Sequence, residues 1–132
     1  QKMTFTSKSE NIVLVEKLVD DVCDLFNVSE DHYGNILIAI TEAVNNAIQH
    51  GNKANPEKNI EVAFKSKDNM LSFIIKDQGE GFAFDELKDP TSPENLESPS
   101  GRGVFLMRNL ADKVEFADNG SKVTLNFNIS QN

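Results

Sequence analysis

The stretch ITEAVNNAIQHGNKAN, residues 40–55, decides how the rest of the chain is read. Ile40, Ala43, Val44 and Ala47 recur at helical spacing and mark a buried face. Glu42, Asn46 and His50 stand four apart, so they share one stripe of the same helix. A carboxylate, a carboxamide and an imidazole in line are costly where apolar packing was available, which makes the stripe candidate chemistry. Gly51 is the expected stop, and residues 52–58, with Asn55-Pro56, read as a loop.

Working outward, Ser29 caps this helix at its start, with Glu30 and Asp31 in the first turn where negative charge suits the dipole. An earlier helix carries Ile12, Val15, Val19, Val22, Leu25 and Phe26 on one face, with Ser9 as its expected N-cap. Residues 3–7 alternate like a short edge strand. Downstream, IEVAFKS (60–66) and LSFIIKD (71–77) read as a hairpin turning at Asp68-Asn69. Residues 78–100 hold Pro90, Pro93 and Pro99, many acids and few apolar residues, a pattern typical of a functional lid. Gly101-Arg102-Gly103 opens a third helix through Val104, Leu106, Met107 and Leu110. KVEF and SKVTLNFNI then close a second hairpin around Asp118-Asn119-Gly120. The expected fold is α/β (α+β): a two-layer sandwich whose mixed, mostly antiparallel sheet is covered on one face by about three helices.

Composition narrows the function. A chain of 132 residues points to a single domain, 1–132, with one core. Thirteen basic against 21 acidic residues give a formal charge of -8, which argues against direct nucleic-acid binding. Neither a basic run nor a long apolar stretch is present, so no membrane association is expected. Cys23 is the only cysteine and falls among apolar helix positions, which fits a core thiol in a reducing, cytoplasmic setting. No signal-peptide pattern opens the chain.

Three clusters carry the chemistry. The carboxamide oxygen of Asn46 is a hard ligand suited to Mg²⁺ when phosphate and water supply the other positions. One turn earlier, Glu42 can take a proton from a hydroxyl attacking that phosphate. The second cluster is DQGEGF (77–82): Asp77, at a strand end, can accept a hydrogen bond from an exocyclic amine. Gly79 and Gly81 let the backbone approach a flat ligand. The third is SGRGVFLM (100–107), where Gly101 and Gly103 at a helix start offer backbone N–H groups to an anion and Arg102 adds charge-assisted contacts. Neither a P-loop nor a complete G-x-G-x-x-G is present.

In this order, over residues 40–126, the clusters resemble the GHKL, or Bergerat-fold, ATP-binding family. Glu42 and Asn46 match its N box, Asp77, Gly79 and Gly81 its first glycine box, and Gly101 and Gly103 its second. The resemblance implies ATP with Mg²⁺ on Asn46, the adenine amine on Asp77, and phosphates under the lid and second glycine box. Ser121 stands where the family often has a threonine supporting that Asp. Pro99-Ser100 stands where some family kinases carry an arginine.

Within the family, histidine kinases usually have Asn at the position of Glu42 and need a phosphoacceptor helix. Gyrase-, chaperone- and mismatch-repair-type ATPases keep the Glu but add large domains. EAVNNAIQHGN and SGRGVFLM look most like the bacterial anti-sigma-factor serine/threonine kinases. That resemblance implies transfer of phosphate to a STAS-domain anti-anti-sigma protein, with Glu42 as base, and sequestration of a sigma factor by a homodimer. The alternatives are a nucleotide-gated binding module without catalysis and a detached histidine-kinase ATP domain.

Overall fold

The computed structural model describes residues 2–79 and 99–130, with the backbone alone at 99–102 and 119. The elements in chain order are β1 (Lys2–Thr6), α1 (Ile12–Leu25), α2 (Glu30–Asn46), β2 (Asn59–Lys67), β3 (Met70–Lys76), α3 (Pro99–Leu110), β4 (Lys113–Ala117) and β5 (Lys122–Asn128). Short 3₁₀ turns precede α1 at Ser9–Asn11 and join β4 to β5 at Asp118–Gly120, and one π turn, Ala47–Gly51, extends α2.

The strands form one sheet in the order β1-β2-β3-β5-β4, and all four pairings are antiparallel. No adjacent pair of the described strands is parallel as a mixed sheet would have it; like-directed strands, β3 and β4 among them, are separated by a neighbour. The chain leaves β3, passes through α3 and returns as β4 in the same direction, but β5 lies between the two. Alternation sends Ile60, Val62 and Phe64 of β2, Leu71, Phe73 and Ile75 of β3, and Val123, Leu125 and Phe127 of β5 to one face. Register stacks them in rows, Phe64–Phe73–Leu125 and Val62–Ile75–Val123. The same face receives Val15, Val19 and Val22 of α1, Ile36, Ile40 and Val44 of α2, and Val104 and Met107 of α3. Each large side chain buried there contributes about 1.5–3 kcal/mol of transfer free energy. The opposite face carries Thr4, Glu61, Lys76 and Lys122 in one cross-strand row and faces water.

Helix α2 lies between α1 and α3, which makes it the element on which both flanking helices depend. Its start is fixed as the sequence indicates, with the Ser29 hydroxyl accepting from the His32 N–H. Ser9 does not cap α1. Lys8 precedes a 3₁₀ turn that begins at Ser9, Asn11 holds the cap position of α1 with its side chain turned to Thr6 rather than to the helix, and the Ser9 hydroxyl instead accepts from Gln49. Among the described residues no helix is long and apolar enough to cross a membrane.

Candidate nucleotide site at the end of α2

The functional cluster is assembled where α2 stops being an α-helix. From Ala47 to Gly51 the turn widens to π geometry, closed by the Asn52 N–H donating to Ala47 O at 2.8 Å. Such turns are rare and concentrate at functional sites. The chain leaves through Lys53 and Ala54, both at positive φ, 53° and 56°. The widening brings the Gly51 backbone against the end of β3. A Cβ on Gly51 would lie 2.8 Å from Asp77 Oδ1 and nearer still to Oδ2, and one on Gly79 would run into the Gly51 carbonyl oxygen.

Asp77 is half-buried, and its backbone N–H donates to Ser121 O at 2.9 Å. The Gly79 N–H donates to Oδ1 at 2.8 Å, and among the described residues Oδ2 has no donor. Burial pushes the carboxyl above its usual range, opposed by the Gly79 N–H and, more weakly, by Lys58. Ser121 contributes through its backbone carbonyl. Its hydroxyl donates to Asp118 O at 2.8 Å and so is spent within the turn.

Asn46 and Asp77 line one small cavity of about 20 Å³, together with Gly51, Met107, Gly120 and Ser121 among the described residues. Asn46 is 7% exposed, and its Nδ2 is buried without a hydrogen-bond partner among the described residues. An unmade hydrogen bond of this kind costs about 1–3 kcal/mol, so a buried amide in this condition points to a ligand. The opposite wall is α3, where a Cβ on Gly103 would come within 2.6–2.9 Å of the Asn46 side-chain amide. A space of this size holds about one water.

Glu42 is half-buried one turn before Asn46 on α2 and outside the lining of this cavity. Gly101 and Arg102 lie in the first turn of α3, which begins at Pro99 and so earlier than the glycines suggest. Pro99 has no N–H, and the free amides of this end are those of Ser100 and Gly101. The Gly103 N–H falls inside the helical ladder, and what Gly103 supplies is closeness to Asn46. Gly81 and the lid expected at 78–100 fall mostly outside the described residues. Three features of the site escape a sequence reading. They are the π turn, the glycine contact between Gly51 and Gly79, and Asn52, buried to 1% exposure where a solvated loop was expected.

The Gly51–Gly79 contact gives a direct test. In Gly79→Ala the added methyl meets backbone, which cannot rotate away as a side chain can, so the turn after β3 or the π turn must shift. Overpacking of this kind costs about 1–3 kcal/mol. Thermal unfolding should show that loss, and calorimetry should show nucleotide affinity reduced about tenfold or more. Unchanged stability and affinity would mean that the two backbones do not meet.

Known proteins match the chain over most of its length. A histidine kinase-like ATPase domain model matches residues 5–127. Serine-protein kinase RsbW of Staphylococcus epidermidis is 31% identical over 120 residues, covering 86% of this chain and 76% of that protein. The RsbW of Bacillus subtilis is 27% identical, covering 94% and 81%. Among solved structures, the chain carrying RsbU and RsbW domains from Mycobacterium tuberculosis superposes with a TM-score of 0.64 at 14% identity, over all of this chain and 33% of that one. The histidine kinase domain of a blue-light activated kinase from Erythrobacter litoralis gives 0.56 at 20% identity, over 76% of this chain and 46% of that one. These two likenesses concern the fold. The GHKL resemblance read from the motifs, and within it the lean toward serine/threonine kinases, is what these relatives bear out. The chain belongs to the histidine kinase-like ATPase domain family, with RsbW serine-protein kinases among its relatives.

Proposed function

We infer that this chain is an ATP-dependent serine/threonine protein kinase of the anti-sigma-factor type, working as one domain over residues 1–132 in the cytoplasm. Its acceptor is a STAS-domain anti-anti-sigma protein, and its second partner is a sigma factor held by a homodimer of the chain. One observation carries the reading. At the end of α2 the unpartnered amide of Asn46 and the free oxygen of Asp77 line the same cavity. This pairing supplies one group suited to a metal-bound phosphate and one suited to an amine. Kinship with serine-protein kinases supports hydroxyl rather than imidazole as the acceptor.

Asp77 accepts the adenine amine through Oδ2, with Gly79 and Gly81 against the ring. The free N–H groups at the start of α3, with Arg102, hold phosphate oxygens. Bound Mg²⁺, held through the Asn46 carboxamide oxygen, would neutralise phosphate charge. Glu42 takes the proton of an acceptor serine or threonine as its oxygen bonds to the γ-phosphorus. The bond to the β–γ bridging oxygen breaks, and ADP departs with that electron pair. Catalysis of this kind is mostly positioning and electrostatics, so a short helix end and two glycine contacts are sufficient machinery.

Incubation with γ-labelled ATP, Mg²⁺ and a STAS-domain protein from the same source tests the proposal. Acid-stable label on serine or threonine is the expected result. Acid-labile label on histidine would assign the chain to histidine-kinase chemistry. Nucleotide binding without transfer to any acceptor would leave a binding module.

A further inference from the structure

Asn52 does not line the cavity, yet it is among the most buried polar side chains of the molecule, 1% exposed. Every hydrogen-bonding direction that matters for it is used. Nδ2 donates to Ser7 Oγ at 2.7 Å and to Asn59 O at 3.0 Å. Oδ1 accepts from the Gln78 N–H at 2.7 Å. Ser7 passes the restraint on, its hydroxyl donating to Lys58 O at 2.7 Å, while the Gln78 side chain accepts from the Asn59 N–H at 2.6 Å. One carboxamide thus joins the end of the π turn to the segment after β1, the start of β2 and the residue that follows Asp77.

The consequence falls on the turn after β3. Three successive N–H groups leave it, and each is held by a different part of the molecule. The Asp77 N–H goes to Ser121 O, the Gln78 N–H to Asn52 Oδ1, and the Gly79 N–H to the Asp77 carboxylate itself. The first bond fixes the end of the strand, and the third fixes the carboxylate only relative to its own backbone. The middle bond ties this turn to the residue that follows the π turn, and so to the end of the helix from which Asn46 and Gly51 face the same cavity as Asp77.

We propose that Asn52 is a positioning residue for base selection, holding the Gln78 amide so that Asp77 presents its free oxygen to the exocyclic amine of the nucleotide. This rests on the assignment of Asp77 as amine acceptor given above. A contact that reads an amine distinguishes ADP from IDP, which carries a carbonyl at that position and a proton on the adjacent ring nitrogen, and the ratio of the two affinities reports recognition of that edge of the base. General loosening of the domain weakens both nucleotides alike and leaves the ratio where it was.

The experiment measures Kd for ADP and IDP by calorimetry with Mg²⁺ at pH 8, in wild type, Asn52→Ala, Asn52→Asp and Ser7→Ala, with thermal unfolding of each. Asn52→Ala should cut the preference for ADP about tenfold, the worth of one well-placed hydrogen bond. Asn52→Asp keeps an acceptor opposite the Gln78 N–H but lacks both donors, so it should lose stability and keep the preference within about threefold. Ser7→Ala should behave like Asn52→Asp. Folded Asn52→Ala with an undiminished ratio would overturn the proposal, as would a collapsed ratio in Asn52→Asp. Should Asn52→Ala fail to fold, the Asn52→Asp ratio decides. Wild type that binds both nucleotides equally would instead remove the assignment of Asp77 as amine reader, and the positioning role with it.

Discussion

Glu42→Gln should abolish phosphate transfer, by a factor of about 10²–10⁴, while ADP affinity stays within about twofold of wild type. The expectation follows from where the residue sits. Glu42 lies on α2 one turn before Asn46, half-buried, and it does not line the cavity that Asn46 and Asp77 share. Glutamine has the same length and nearly the same helix propensity, so α2 and the core beneath it are unaffected. What disappears is the capacity to take a proton from the incoming hydroxyl. Single-turnover transfer to a STAS-domain acceptor and calorimetry with ADP separate the two effects. Transfer at the wild-type rate would show that the reaction proceeds by positioning and charge alone, and parallel loss of binding would place Glu42 in the nucleotide pocket.

Much of the scaffold is legible in the sequence because local and global preferences agree there. Period-two alternation in residues 60–66 and the more apolar run in 71–77 correspond to β2 and β3 within one residue at each end. The Asp68-Asn69 turn falls where expected, with Asp68 at φ 55°, a conformation that Asp tolerates. Ser29 caps α2 because its hydroxyl reaches the His32 N–H three residues on, a strictly local event. Asn46 and Asp77 are legible for the opposite reason: each is a polar group where burial is expensive, and the cavity brings the two together.

What stays hidden is set by tertiary contact. The start of α3 at Pro99 runs against the two glycines that follow, whose poor propensity suggests a later beginning. Packing of Val104 and Met107 under α2 outweighs that local cost, and proline is well suited to the first helical position. The π turn has no propensity signature, since i→i+5 bonding is indistinguishable in sequence from the last turn of an α-helix. Asn52 looks like a loop residue because its neighbours Lys53 and Ala54 are exposed, and only the closure of Ser7, Asn59 and Gln78 around it makes it structural.

Asp77→Asn is the second large effect, and it should separate function from stability. The Gly79 N–H already occupies Oδ1, so the substitution replaces the free oxygen by an NH₂ that faces the nucleotide amine donor to donor. A lost charge-assisted bond together with that repulsion should weaken ADP about 100-fold. Stability should move the other way. Burial raises the Asp77 carboxyl above its unfolded value, so the folded protein holds this proton more tightly than the unfolded chain does. The contribution to folding is therefore best below the unfolded value and declines as pH rises through the folded one, leaving a cost at neutral pH. Asparagine carries no such cost, and the variant should unfold at the same temperature as wild type or higher. The same raised value governs recognition in the wild type, since only the ionised carboxylate accepts the amine with full strength. The preference for ADP over IDP should fall on acidification while ordinary aspartates are still charged, and it should be independent of pH in Asp77→Asn. Taking the ratio cancels titration of the phosphates, which the two nucleotides share. A variant that binds ADP within about threefold of wild type would show that a free carboxylate oxygen beside Gly51 is not the group that selects the base.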